Sequence, residues 1–153
     1  MSREDVELVQ RLLEPYEHAD IAAAFRDEAG WAASNAVAAS VYAPDFECIF
    51  VRDDVGRATY SGRDGLRAAW LDWLGPWARY RTEIEDFIDA GEGRVVVLTR
   101  DYARREGMEA EVHFEGAPVW TVRNGRVARV EFYMNRAEGL AAAGLGAGRG
   151  ELR

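Results

Sequence analysis

The sequence predicts an α+β fold: a cone-shaped, curved mixed or antiparallel sheet wrapping N-terminal helices, barrel-like, with an internal pocket. Three observations carry this. Apolar residues recur at helical spacing near the start of the chain, and strand-like runs separated by glycines fill most of it from Tyr80 onward. The stretch Val119 to Leu145, VWTVRNGRVARVEFYMNRAEGLAAAGL, then encodes two antiparallel strands about a glycine turn, followed by a capped helix.

The elements follow in order. Ser2 and Asp5 resemble a helix start, with Val6, Val9, Leu13 and Tyr16 on one face. Pro15 disfavours helical geometry at Glu14, so the first helix stops or kinks there. A second helix is expected from Asp20 to Glu28 and a third from Trp31 to Tyr42, with Gly30 breaking the two. Pro44-Asp45 leads into a strand from Phe46 to Val51; Asp53 to Gly56 reads as a loop and Ala58 to Ser61 as a short strand. A helix then runs from Ser61 or Gly62 to about Trp77, with Leu66, Trp70, Trp73, Leu74 and Trp77 as its apolar stripe.

From Tyr80 to Asp89 the chain alternates, placing Tyr80, Thr82 and Ile84 inward. The next strand, Arg94 to Arg105, is apolar on both faces around Val95 to Leu98. Helices are expected to cover one face and a partner subunit the other. Gly107 turns the chain into a strand from Glu109 to Val122. At the final hairpin, Asn124-Gly125 would suit a two-residue turn, but the hydrophobic pattern favours a three-residue loop, Arg123 to Gly125, with Gly125 in a bulge. That register pairs Trp120 with Ala128 and Pro118 with Val130. It puts Trp120, Val122, Ala128, Val130, Phe132 and Met134 on one face. Asn135 and Glu138 form a capping box for the last helix, and Gly144 closes it. Residues 1–145 thus read as one domain, and 146–153, GAGRGELR, as a flexible tail.

A chain of 153 residues with five Trp can bury roughly 70% of its unfolded surface. Twenty-seven acidic against nineteen basic residues give a net charge of −8, which disfavours nucleic acid and anionic membrane as partners. No signal peptide or membrane-length apolar run is visible. The single Cys48 excludes an internal disulfide, and His18 and His113 lie far apart in sequence, so no metal centre or other cofactor is expected. These features fit a reduced cytoplasm.

Three segments together resemble the SnoaL-like branch of the nuclear transport factor 2-like superfamily: SGRDGLRAAW with its downstream Trp residues, YRTEIEDFIDAGEGRVVVLTR, and the closing VWTVRNGRVARVEFYMNRAEGLAAAGL. They cover Tyr60 to Leu145. Upstream, the chain inserts the stretch around AGWAASNAVAAS relative to the family pattern. The resemblance implies a conical fold with a pocket and frequent homodimerisation through the sheet. The superfamily includes ketosteroid isomerases, polyketide cyclases, scytalone dehydratase, limonene epoxide hydrolase and many non-enzymatic domains.

Carried over residue by residue, the isomerase pattern fails. Its oxyanion-hole Tyr falls at about Leu12, its general-base Asp at about Phe50, and its second acid at Pro118 or Val119. None of these can transfer a proton. The epoxide-hydrolase pattern puts its last-strand Asp at Phe132, and its strand-four Arg and Asp at Asp101 and Ala103. Neither mechanism transfers.

Two candidate bases remain. Asp101 shares strand parity with Thr99 and can reach a pocket, or else it pairs with Arg100, Arg104 or Arg105 at the strand end. His18 closes the first helix, as a base or as a surface cap. The candidate ligand-binding residues are Tyr16, Phe50, Trp70, Trp73, Trp120, Val130, Phe132 and Met134, an apolar set equally consistent with filled core. Cys48 should face inward with no activating neighbour close in sequence. The expected partner is a small, aromatic or polycyclic organic molecule, bound with or without isomerase, cyclase or dehydratase chemistry. A third expectation is an interaction module that uses its sheet as a dimer face.

Overall fold

The computed structural model describes residues 2–52 and 56–145. Asp53 to Val55 of the expected loop and the expected tail, 146–153, lie outside the described residues. The elements run α1 (Ser2–Leu13), a 3-10 turn (Glu14–Tyr16), α2 (Ile21–Arg26), α3 (Glu28–Ala33), α4 (Asn35–Ala38), β1 (Tyr42–Arg52) and β2 (Gly56–Ser61). They continue with α5 (Gly62–Leu74), β3 (Trp77–Gly91), β4 (Arg94–Arg105), β5 (Glu111–Gly116), β6 (Val119–Arg123), β7 (Arg126–Tyr133) and α6 (Arg136–Ala142). The seven strands form one open sheet in the order β2-β1-β7-β6-β4-β3, with β5 also paired to β4. Among the described strands, only the β1–β7 pairing is parallel. This is the expected α+β cone.

Pro15 ends α1 in the 3-10 turn, as its fixed geometry requires. The next helices are shorter than the sequence suggested. Asp20 caps α2, accepting from Ala22 N at 3.1 Å. Asp27, not Gly30, then breaks the chain: its carboxylate accepts from Gly30 N at 3.0 Å and starts α3. The expected single helix from Trp31 to Tyr42 is two short ones, and Tyr42 already belongs to β1. A side-chain cap offers the backbone an alternative to continuing the helix. The inserted segment docks through Trp31, whose ring lies 3.9 Å beneath the Arg63 guanidinium. Arg63 also donates to Asn35 Oδ1 at 2.6 Å, tying the insertion to α5.

Helix α5 stops at Leu74, where Gly75-Pro76 follows, so Trp77 opens β3 instead of ending the helical stripe. Arg26 satisfies the freed carbonyls, donating to Leu74 O at 2.9 Å and Trp77 O at 2.8 Å. The expected strand from Glu109 to Val122 is divided at Ala117-Pro118 into β5 and β6. Pro118 has no N–H to donate, but its carbonyl accepts from Val97 N at 3.0 Å. Helix α6 keeps its expected ends. Asn135 Oδ1 accepts from Glu138 N at 3.0 Å, and Gly144, at φ 83°, lets Leu145 N reach Leu140 O at 2.8 Å.

The hairpin register differs from expectation. Arg123 pairs with Arg126 across a two-residue Asn124-Gly125 turn in which both residues have positive φ. The extra residue enters at Ala128 instead, a bulge that pairs Val122 with Val127 and Trp120 with Val130. With the bulge three residues further on, at Ala128 instead of Gly125, both the turn preference and the burial pattern are satisfied. Trp120 and Val130 are buried in the inner core.

That core lies between the concave face of the sheet and α1, α2 and α5, around Trp70, Phe50, Phe132, Val97 and Trp120. A second apolar cluster lies on the opposite face of the sheet, where Val96, Val119 and Tyr133 pack with Leu140, Ala143 and Leu145. The outer face of β4 at Val96 is therefore covered by the chain's own C-terminal helix.

Candidate functional site

The inner core is hollow. A cavity of about 90 Å³ opens between α1, α2, α5 and the concave face of the sheet. Leu12, Leu13 and Tyr16 form its wall at the end of α1, and Ile21 and Phe25 of α2 lie beside them. Leu66 and Trp70 come from α5, while Trp120, Phe132 and Met134 come from the closing hairpin. Trp70 meets Phe132 edge-on at 5.2 Å and stacks on Phe25 at 5.4 Å, so the wall is held by ring contacts rather than collapsed into the space.

One wall is polar. Asp101 of β4 is 5% exposed and points into the cavity between Thr82 and Thr99. Tyr80 Oη donates to Asp101 Oδ2 at 2.6 Å, and Thr82 Oγ1 donates to Oδ1 at 3.0 Å. The geometry comes from the β3–β4 register, which sets Thr82 directly opposite Asp101. Burial pushes the Asp101 carboxyl up to about 6, with the hydroxyls of Tyr80, Thr82 and Thr99 pulling the other way. Burial, and then the neighbouring carboxylate, push the Tyr80 hydroxyl well above its usual value, so it stays a neutral donor.

Two further devices position this wall. A Cβ at Gly116 would sit 2.9 Å from Thr99 Oγ1 and 3.2 Å from Tyr133 O, so the close approach of β5 to β4 there needs a glycine. Arg136, the first residue of α6, donates to Thr99 O at 2.7 Å and to Glu85 Oε1 at 2.7 Å. Arg136 thus braces the strand two residues from Asp101.

Of the residues singled out from sequence, Tyr16, Trp70, Trp120, Phe132, Met134 and Asp101 line the cavity. Phe50 and Val130 are buried behind that lining, with Phe50 tilted against Phe132 at 4.9 Å. Trp73 points elsewhere, meeting Phe114 edge-on at 5.5 Å. His18 also lies outside. Its side chain is 70% exposed in a separate polar cleft with Asp20, Arg79 and Glu111. Its backbone is left-handed, φ 66°, and the preceding Glu17 lines the cavity. Glu17 Oε2 accepts from Ile84 N at 3.1 Å. The alternative pairing of Asp101 with Arg100, Arg104 or Arg105 does not form: Arg100 meets Glu115 and Glu85, and Arg104 donates to Met108 O. Burial pushes the Cys48 thiol up to about 12, leaving it a small core hydrophobe.

Tyr80, as the donor that holds Asp101, was not legible as such, although its inward parity was. Two bulges in β3, at Ile84/Asp86 and Asp89/Gly91, are the reason. An unbroken ladder counted back from the Glu92-Gly93 turn would face Asp101 with Ile84. Among the described residues, no three His, Cys, Asp or Glu gather in an arrangement that could hold a metal ion, and no helix is long and apolar enough to cross a membrane.

Solved structures share this architecture. A candidate SnoaL-like polyketide cyclase from Jannaschia sp. CCS1 superposes with a TM-score of 0.61 at 18% identity, covering 86% of this chain and 85% of that one. An NTF2-like protein of unknown function from Burkholderia pseudomallei gives 0.56 at 22% identity over 90% and 95% of the two chains. TerC, crystallised with polyporic acid, gives 0.57 at 19% identity over 84% and 89%. At these identities the likeness is one of fold. Comparison with curated proteins finds no match. The family model for the SnoaL-like domain matches residues 22–130, which span most of the sheet and the cavity-lining helices α2 and α5. The chain therefore belongs to the SnoaL-like domain family.

Proposed function

We propose that this protein binds a small, largely apolar organic molecule in the cavity under α1 and α5, with Asp101 as the polar group that orients it. The observation that carries this reading is a buried carboxylate, poised near pH 6, in a space otherwise walled mainly by apolar side chains and aromatic rings. The fold supports a ligand-binding or polyketide cyclase-like role, and TerC, of the same fold, was co-crystallised with polyporic acid. We take the site to work in the cytoplasm, in line with its single buried cysteine.

The test uses the tryptophans themselves. Benzyl alcohol should change the fluorescence of Trp70 and Trp120 saturably, and Leu12→Trp, which fills the cavity from α1, should abolish the response. A wild-type response that never saturates, or one unchanged in Leu12→Trp, would overturn the reading.

The raised Asp101 pKa favours a second reading, in which the bound molecule exchanges a proton with Asp101 in an isomerase, cyclase or dehydratase reaction. Asp101→Asn should then abolish turnover of a substrate that the wild type converts. Undiminished turnover would remove Asp101 from the mechanism. Homodimerisation through the sheet is a separate proposal. Sedimentation showing a monomer across a wide concentration range would count against it.

A further inference from the structure

The charge distribution around the cavity narrows the ligand class. Two lining residues are ionisable carboxylic acids, Asp101 and Glu17, and among the described residues no Lys, Arg or His lines the cavity. The groups that hold Asp101, the hydroxyls of Tyr80, Thr82 and Thr99, are neutral dipoles. They satisfy part of the carboxylate's hydrogen-bonding capacity and none of its charge. The two carboxylate oxygens together accept about four hydrogen bonds, so three hydroxyl partners leave room for one further donor. The cavity is also lined by Tyr16, Phe25, Trp70, Trp120 and Phe132, and the π-face of an aromatic ring attracts cations. The whole chain, at −8, also draws cations and repels anions.

Resting on the binding reading above, we propose that the natural ligand is a small hydrophobic amine bound as its cation. Its ammonium group sits on the Asp101 carboxylate and its apolar body lies among Trp70, Trp120 and Phe132. A carboxylic acid of the same shape would meet Asp101 and Glu17 as like charges. A neutral isostere would fill the same space but leave the Asp101 charge uncompensated.

Three isosteric probes separate these cases at pH 7.5: benzylamine, benzyl alcohol and benzoate, each titrated by calorimetry and tryptophan fluorescence. Benzylamine should bind the wild type at least about tenfold more tightly than benzyl alcohol, the gain expected of a charge-assisted hydrogen bond. Benzoate should bind more weakly than either. Asp101→Asn should bring the ratio of benzylamine to benzyl alcohol affinity down to about one. If that variant does not fold, the ranking of the three probes on the wild type decides the matter alone. Equal or tighter binding of the alcohol or of benzoate would overturn the amine assignment while leaving the cavity as a binding site. Saturable binding of none of the three would overturn both the assignment and the reading beneath it.

Discussion

On the outer face of β4, Arg100 lies 2.9 Å from Glu115 and 3.5 Å from Glu85. On the inner face, one residue further along, Asp101 meets the hydroxyls of Tyr80 and Thr82. The outer pairs are half-exposed, so water screens them and each charge has an opposite neighbour. The inner carboxylate is 5% exposed, and the influences on it are burial and hydroxyl dipoles. The same strand thus makes a charged surface on one side and holds a buried carboxyl with a raised pKa on the other. What separates them is the company of the charge rather than its presence.

That contrast can be broken in several ways, and the largest effect lies on the inner face. Trp70 anchors the cavity wall through Phe25, Phe50, Phe132 and Tyr80. Trp70→Ala should cost about 3–5 kcal/mol in chemical denaturation, the range for removing a buried aromatic side chain. A loss under about 1 kcal/mol would show that the wall collapses to fill the gap.

The next effect is one of pH. Asp101 holds its proton more tightly folded, near 6, than at the ordinary carboxylate value of 3.8. Its protonated form therefore favours the native state. That stabilisation is complete below the unfolded value and is lost as pH rises through about 6. Relative to Asp101→Asn, the wild type should lose roughly 3 kcal/mol between pH 3.5 and pH 7. A flat difference across that range would contradict the burial account.

Tyr80→Phe removes the 2.6 Å donor without emptying the core. It should cost about 1–2 kcal/mol and raise the Asp101 pKa further, readable by carboxyl NMR. The smallest effect is expected on the exposed face, where Arg123 pairs with Asp45 at 3.0 Å while both side chains are mostly exposed. Arg123→Ala should change stability by less than about 1 kcal/mol.

The cone, the cavity and much of its lining were legible in the sequence because hydrophobic parity survives local irregularities. The irregularities themselves were not. The hairpin shows this: Asn124-Gly125 keeps its preferred tight turn, and the bulge needed for burial appears at Ala128, which no local signal marks. The pairing of Asp101 with Thr82 was hidden for the same reason, since it depends on two bulges in β3. The N-terminal helices were misdivided because Asp27 competes for the backbone as a cap, a choice that tertiary docking of Trp31 under Arg63 reinforces. The chemistry was half legible: strand parity turned Asp101 inward, but its freedom from Arg100 and Arg104 needed the structure.

The central claim is that Asp101 is a buried, uncompensated carboxylate facing a cavity. It is tested most directly by following the Asp101 side-chain carbon by NMR through a pH titration of the protein labelled at aspartate, assigned with Asp101→Asn. The account predicts a midpoint of about 6. A midpoint at or below the ordinary 3.8 would contradict it.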